Sequence, residues 1–159
     1  MTASTAELRL ADWARNEPAL ALIRREVFIE EQQVPEALEW DGLDAAAVHV
    51  LAETRDGTPI GTARLLADGH IGRMAVRAPW RGNGIGRALL EALLAEARRQ
   101  GMAEVFLHAQ THAIPFYERA GFTAEGEVFM DAGIPHPQMR RSLTDLRAGG
   151  WGPPRPSLA

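Results

Sequence analysis

Apolar residues at Ile85, Leu89, Leu90, Leu93, Leu94 and Ala97 recur every three or four positions, which predicts a long helix with one buried face. Arg98-Arg99-Gln100-Gly101 ends it, with basic residues in the last turn and a glycine stop. Upstream, Glu7-Leu8-Arg9-Leu10 alternates as a short first strand. Asn16-Glu17-Pro18 reads as a helix entry, with Asn16 capping and Pro18 in the first turn. Leu20, Leu22, Ile23, Val27 and Phe28 give that helix its apolar face as far as about residue 31. From 30 to 44 the pattern turns acidic and aperiodic, broken by Pro35 and Gly42, and predicts a loop or an interrupted helix. Strands at 48–53, 60–66 and 70–76 are separated by turns on Asp56-Gly57 and Asp68-Gly69, which implies an antiparallel meander. The strand at 104–107 follows the long helix, so it is expected to lie parallel to 70–76. A short helix over 111–119 stops at Ala120-Gly121, strands follow at 122–129 and 138–143, and Gly133-Ile134-Pro135-His136-Pro137 is expected to turn between them. The fold class is α+β.

The long helix is entered through Arg81-Gly82-Asn83-Gly84-Ile85-Gly86, directly after the apolar run Met74-Ala75-Val76 and a short connection. Three alternate glycines remove each Cβ that would hold a ligand off the backbone. Strand, glycine turn and helix start together aim free N–H groups and the positive end of the helix dipole at one point, which suits phosphate. Arg81 and Arg87 flank that point. A P-loop is excluded because no Gly-Lys pair occurs, and the dinucleotide fingerprint fails because Leu89 fills its last glycine slot.

A chain of 159 residues, 46% hydrophobic and 24% charged, fits one domain, expected over 1–146, with a Gly/Pro-rich tail at 147–159. The formal charge of −4 argues against a nucleic-acid partner. The absence of cysteine removes disulfides, thiolate metal sites and an acyl-cysteine intermediate. His108-x3-His112 spans a strand end and a helix start without a supporting ligand motif, and no serine lies in a Gly-x-Ser-x-Gly context, so neither a metal nor a hydrolase is expected. No signal peptide or long apolar span is recognised, which leaves a cytoplasmic protein without membrane partners as the expectation.

Arg-Gly-x-Gly-x-Gly in this setting resembles the pyrophosphate loop of the GNAT N-acetyltransferase superfamily. Ala113-Ile114-Pro115-Phe116-Tyr117-Glu118-Arg119-Ala120-Gly121-Phe122 is similar to that family's Ala-x-x-x-Tyr-x-x-x-Gly-Phe signature. The resemblance covers the chain to about residue 143 and implies a mixed sheet whose central parallel strands splay to hold acetyl-CoA. It implies coenzyme contacts from Met74, Ala75, Val76, Arg81, Gly82, Asn83, Gly84, Ile85, Gly86, Arg87, Ala113 and Phe116, with an N–H near Val76 facing the thioester oxygen. Gln110 stands where many relatives carry asparagine. Tyr117, the only tyrosine, takes the place of the residue that protonates the departing thiolate.

Direct transfer to an amine needs a base, and Glu39, Asp41, His108 and His136 are the candidates. Val27-Phe28-x-x-Glu31-Gln32-x-Val34-Pro35, Glu39-x-Asp41 and Gly133-Ile134-x-His136 resemble the ElaA-like branch, which places Glu31, Gln32, Glu39 and Asp41 at the acceptor pocket. An acidic rim there would suit a cationic amine, small molecule or peptide. The implied activity is acetyl transfer from acetyl-CoA to a primary amine in a ternary complex. The alternative is a non-catalytic acyl-CoA binder on the same fold, and a homodimer is compatible with either.

Overall fold

The computed structural model describes residues 6–131 and 134–144, the side chains of 126–131 and 134–136 excepted. The expected tail at 147–159 and the His136 side chain therefore lie outside the described part. Strands β1 (Glu7–Ala11), β2 (Val48–Glu53), β3 (Pro59–Leu65) and β4 (Ile71–Val76) form an antiparallel sheet in that order. A second antiparallel sheet runs β5 (Glu104–His108), β7 (Ile134–Ser142), β6 (Thr123–Asp131).

Helix α3 (Ile85–Arg99) buries the six residues that its period singles out, all at most 4% exposed. Its face packs on Val50, Ala52, Ile60, Ala63 and Leu65 of the first sheet and on Val105, Leu107 and Met139 of the second, so one apolar core spans both. Burial of each leucine is worth about 1.5–3 kcal/mol, which makes α3 the main tie between the sheets. At its end Gly101 takes φ +79 and Met102 N–H reaches Ala97 O at 3.0 Å, as the glycine stop requires.

Helix α1 (Trp13–Arg24) covers the opposite face of the first sheet, where Leu20, Ile23 and Val27 meet Leu51 and Ala75. It begins three residues before the expected cap. Asp12 is the extended residue at its start, and Asn16 donates both its N–H and its Nδ2 to Asp12 O. Pro18 lies inside the helix, where it forgoes one backbone bond, and Leu22 points outward at 46% exposed. The helix continues as a wider π-turn over Arg25–Glu31, closed by Gln32 N–H to Val27 O at 3.1 Å. The acidic stretch beyond it holds one turn of helix, α2 (Glu36–Glu39), and a 3₁₀ turn at Asp44–Ala46.

The expected parallel, splayed pair of β4 and β5 is present: the strands meet in one parallel bridge, His70 opposite Phe106, and the other edge of each pairs with an antiparallel neighbour. One expectation about strands is corrected. Pro135, His136 and Pro137 belong to β7 and pair with Met130, Phe129 and Val128, rather than forming a turn. The prolines are tolerated because their backbone faces the β5 side beyond that strand's last pair, His108 with Gln138, where no ladder N–H is required; there Pro137 O accepts from Ala109 N–H. The remaining short helix is α4 (Ile114–Arg119), preceded by a 3₁₀ turn at Thr111–Ala113.

Candidate active site

From the His70–Phe106 bridge the strands β4 and β5 diverge. Gly69 makes the junction possible: a Cβ there would stand 2.9 Å from Glu104 O, and Gly69 O accepts Phe106 N–H at 3.0 Å. Beyond it the walls enclose a cavity of about 1260 Å³, more than one small ligand fills. Halfway along β4 a bulge sets Arg73 and Met74 opposite Ala63, with Arg73 in the left-handed region at φ +50. Arg77 N–H bonds Ile60 O, so by alternation Val76 turns its own N–H toward the cleft, and Val76 O accepts Arg81 Nε at 2.7 Å instead of pairing with β3.

At the open end lies the glycine loop. Gly82 and Gly84 take φ +82 and +81, values that a side chain resists. Among the described contacts, the backbone N–H groups of Gly82, Asn83, Gly84, Ile85 and Gly86 donate to no protein acceptor. Five such donors at the start of a fifteen-residue helix form an anion cradle that fits a pyrophosphate. Asn83 does not face the cavity: its Nδ2 donates to Trp80 O and Arg81 O and braces the loop from behind. Arg81 is engaged by both oxygens of Glu31 at 2.7 Å, and this contact lowers the Glu31 carboxyl and raises the Arg81 guanidinium. Gln110 Nε2 reaches Gln32 Oε1 at 3.2 Å, a second bond across the same opening.

The acidic positions 39, 41 and 44 fold inward onto arginines. Arg24, fully buried, donates to Glu39 Oε2 at 2.7 Å and Asp44 Oδ1 at 2.6 Å. Arg64, also buried, grips Asp41 through two nitrogens and shares Asp44. Arg73 binds Asp41 Oδ2 at 3.2 Å and the Glu39 carbonyl at 3.0 Å. Burial opposes ionisation of Asp41, yet hydrogen bonds from Arg64 and Leu43 N–H and the nearby cations hold it at about 2. Asp41 does not line the cavity, and so committed a carboxylate is a poor base. Glu39 does line it, and there burial outweighs the arginines and raises its carboxyl. The cavity walls carry Arg64, Arg73, Arg81 and Arg87 beside Glu31 and Glu39, and Arg64, Arg73 and Arg81 are each engaged by carboxylates, so the acidic residues of the segment face arginines rather than a free rim.

Met74, Ala75, Val76, Ile85, Gly86, Arg87, His108, Ala113, Phe116 and Tyr117 all border the cavity. Burial pushes the Tyr117 phenol up to about 12, and its hydroxyl donates only to the Met74 sulfur, at 3.7 Å, among the described partners. Phe116 and Phe122 meet its ring edge-on. His108 Nε2 stands 3.2 Å from Gln138 Oε1, while Gln138 Nε2 donates to Glu125 Oε1 at 2.7 Å. Missing from the sequence reading are Arg64, Arg73, Gly72 and His70, the last stacked on Phe106 with ring centres 4.8 Å apart.

A family model described as an acetyltransferase (GNAT) domain matches residues 10–143. The chain belongs to the GNAT acetyltransferase family. Among curated relatives of this GNAT protein is the Bacillus subtilis protein YjcF, described as an uncharacterized N-acetyltransferase, 38% identical over 136 residues, or 80% of this chain and 96% of that one. Among solved structures it resembles Escherichia coli ElaA, with 30% identity, a TM-score of 0.76, and 85% and 99% of the two chains covered. An acyl-CoA N-acyltransferase from Pseudomonas aeruginosa gives 36% identity, the same TM-score of 0.76, and coverage of 86% and 99%. The ElaA-like resemblance read from the acidic segment thus holds at the level of the whole fold.

Proposed function

We propose that this GNAT protein moves an acetyl group from acetyl-CoA to a primary amine by direct attack, with both reactants bound. The observation that carries the proposal is the pairing of five unpartnered loop N–H groups with a tyrosine hydroxyl at the far side of the β4–β5 cleft. Bound acetyl-CoA would supply the acetyl group as an activated thioester. The loop, Arg81 and Arg87 hold negative phosphates. The cleft edge of β4 offers backbone groups to an extended arm, and the Val76 N–H is aimed to stabilise a developing oxyanion. Holding two reactants in register supplies most of the rate.

Tyr117 stays protonated at neutral pH, since burial sets its phenol at about 12, and so its hydroxyl always has a proton to present to sulfur. A thiolate with a free pKa of ~8.5 leaves without strong help. Tyr117→Phe is therefore expected to lower turnover about tenfold, short of the ~10²–10⁴ of a fully engaged acid, with acetyl-CoA affinity unchanged. Steady-state kinetics beside calorimetry check this, and full activity in the variant would remove the acid role.

Calorimetric titration with acetyl-CoA, using NAD as control, tests the reading itself. Saturable binding of acetyl-CoA alone is expected, followed by thiol release with amines, which a thiol reagent reads cleanly in a protein without cysteine. Binding without thiol release from any amine would favour the non-catalytic acyl-CoA module. No binding would end both.

A further inference from the structure

His70 stands at the apex of the cleft, where β4 and β5 hold their one bridge. Its backbone N–H is pinned to Asp68 Oδ1 at 3.1 Å, and its ring lies nearly flat on Phe106, at an interplanar angle of 11°. Nε2 faces Gly72: a Cβ on that residue would come 3.9 Å from it. The missing side chain at 72 leaves open space between the imidazole and the bulge at Arg73 and Met74. His70, Gly72 and Met74 all border the cavity, and the β4 residues that would meet the thioester lie a few positions along the same wall.

We propose that His70 accepts the proton released by the acceptor amine, an inference that rests on the transferase reading above. The amine arrives as an ammonium ion and loses one proton to His70 Nε2 through a chain of waters along the cleft. The freed lone pair forms the C–N bond while the C–S bond breaks. The nitrogen sheds a second proton, the departing sulfur takes one to leave as thiol, and one proton passes from the imidazole to solvent.

The surroundings keep the imidazole neutral and ready. Burial lowers its pKa most, and the His108 ring, 5.0 Å away on β5, lowers it further. Arg64 from β3 and Arg73 from β4 act in the same direction, and Asp68 from the preceding turn opposes them. A base must be unprotonated, so activity rises with pH through this pKa, and the acid limb falls below the ordinary histidine value of 6.5. His108 also has an outlet: because Gln138 gives its NH₂ to Glu125, its oxygen accepts from His108 Nε2–H, and that ring is held in one tautomer.

The experiment measures thiol release from acetyl-CoA with a panel of primary amines (an alkyl monoamine, a polyamine and α-amino acids), then follows the best acceptor. His70→Gln should lower kcat/KM for that amine about 10²–10⁴-fold while the acetyl-CoA dissociation constant stays within about twofold. His70→Ala should regain activity with added imidazole, which a merely structural histidine would not. His108→Gln should move the acid limb of the wild type upward, a shift that titration of the amine itself cannot produce. Wild-type kcat/KM in His70→Gln, or a loss in His70→Ala that imidazole leaves untouched, overturns the assignment and spares the transferase. A wild type that binds acetyl-CoA yet acetylates none of the panel overturns the transferase reading and takes this inference with it.

Discussion

Gly84→Asp should weaken acetyl-CoA binding by at least about 100-fold while leaving the fold intact. Gly84 sits at φ +81 as the residue before α3, where any Cβ costs about 1–2 kcal/mol in the left-handed region. The carboxylate adds repulsion against phosphate and competes for Arg81, whose guanidinium already answers to Glu31. Each 1.4 kcal/mol is a factor of ten, so strain and charge together reach the stated loss. Gly84→Ala separates the two: without the charge, strain lets the free loop relax out of the left-handed shape that binding must then restore, at a cost of up to about tenfold. Calorimetry gives both constants, and circular dichroism confirms that α3 persists. Unchanged affinity in the aspartate variant would refute the loop as the phosphate site.

The second large effect is on stability. Arg24→Met should destabilise the protein by about 3–5 kcal/mol, since it strands Glu39 and Asp44 without their shared cation at 3% and 5% exposure. Denaturant unfolding at neutral pH measures it. Adding Asp44→Asn restores charge balance, with Arg64 and Arg73 then facing Glu39 and Asp41, and should recover part of the loss. A single variant within about 0.5 kcal/mol of the parent would show that water or rearrangement already satisfies those carboxylates. The network also sets acid behaviour. Asp41 is held near 2, so its contribution is present above the usual carboxylate range and disappears as pH falls through that value.

How far the sequence could be read depended on whether the signal was local. The α3 face is a periodicity, and all six of its residues are buried as read. The glycine loop and Tyr117 are short motifs, and they line the same cavity. The roles of Glu39 and Asp41 are different. Their partners lie 15 to 34 positions away in Arg24, Arg64 and Arg73, so an acidic stretch looked like a free rim when it was half of an ion cluster. Asn16 misled because its side chain mimics a cap, although it donates to Asp12 O instead. His70 was read as the first residue of a strand, and its stacking on Phe106 depends on a bridge that local patterns do not encode.

That bridge has a mechanical meaning. Backbone hydrogen bonds resist sliding because they are directional, whereas apolar contacts between α3 and the two sheets are not. One strand-to-strand bridge, the Gln110–Gln32 hydrogen bond and the apolar packing of α3 therefore hold the halves together. The strands meet at His70 and diverge toward Val76, so the cleft is narrowest at the bridge. On the transferase reading proposed above, a cleft held by so few directional bonds would discriminate acyl groups by the chemistry of its lining rather than by a rigid gauge.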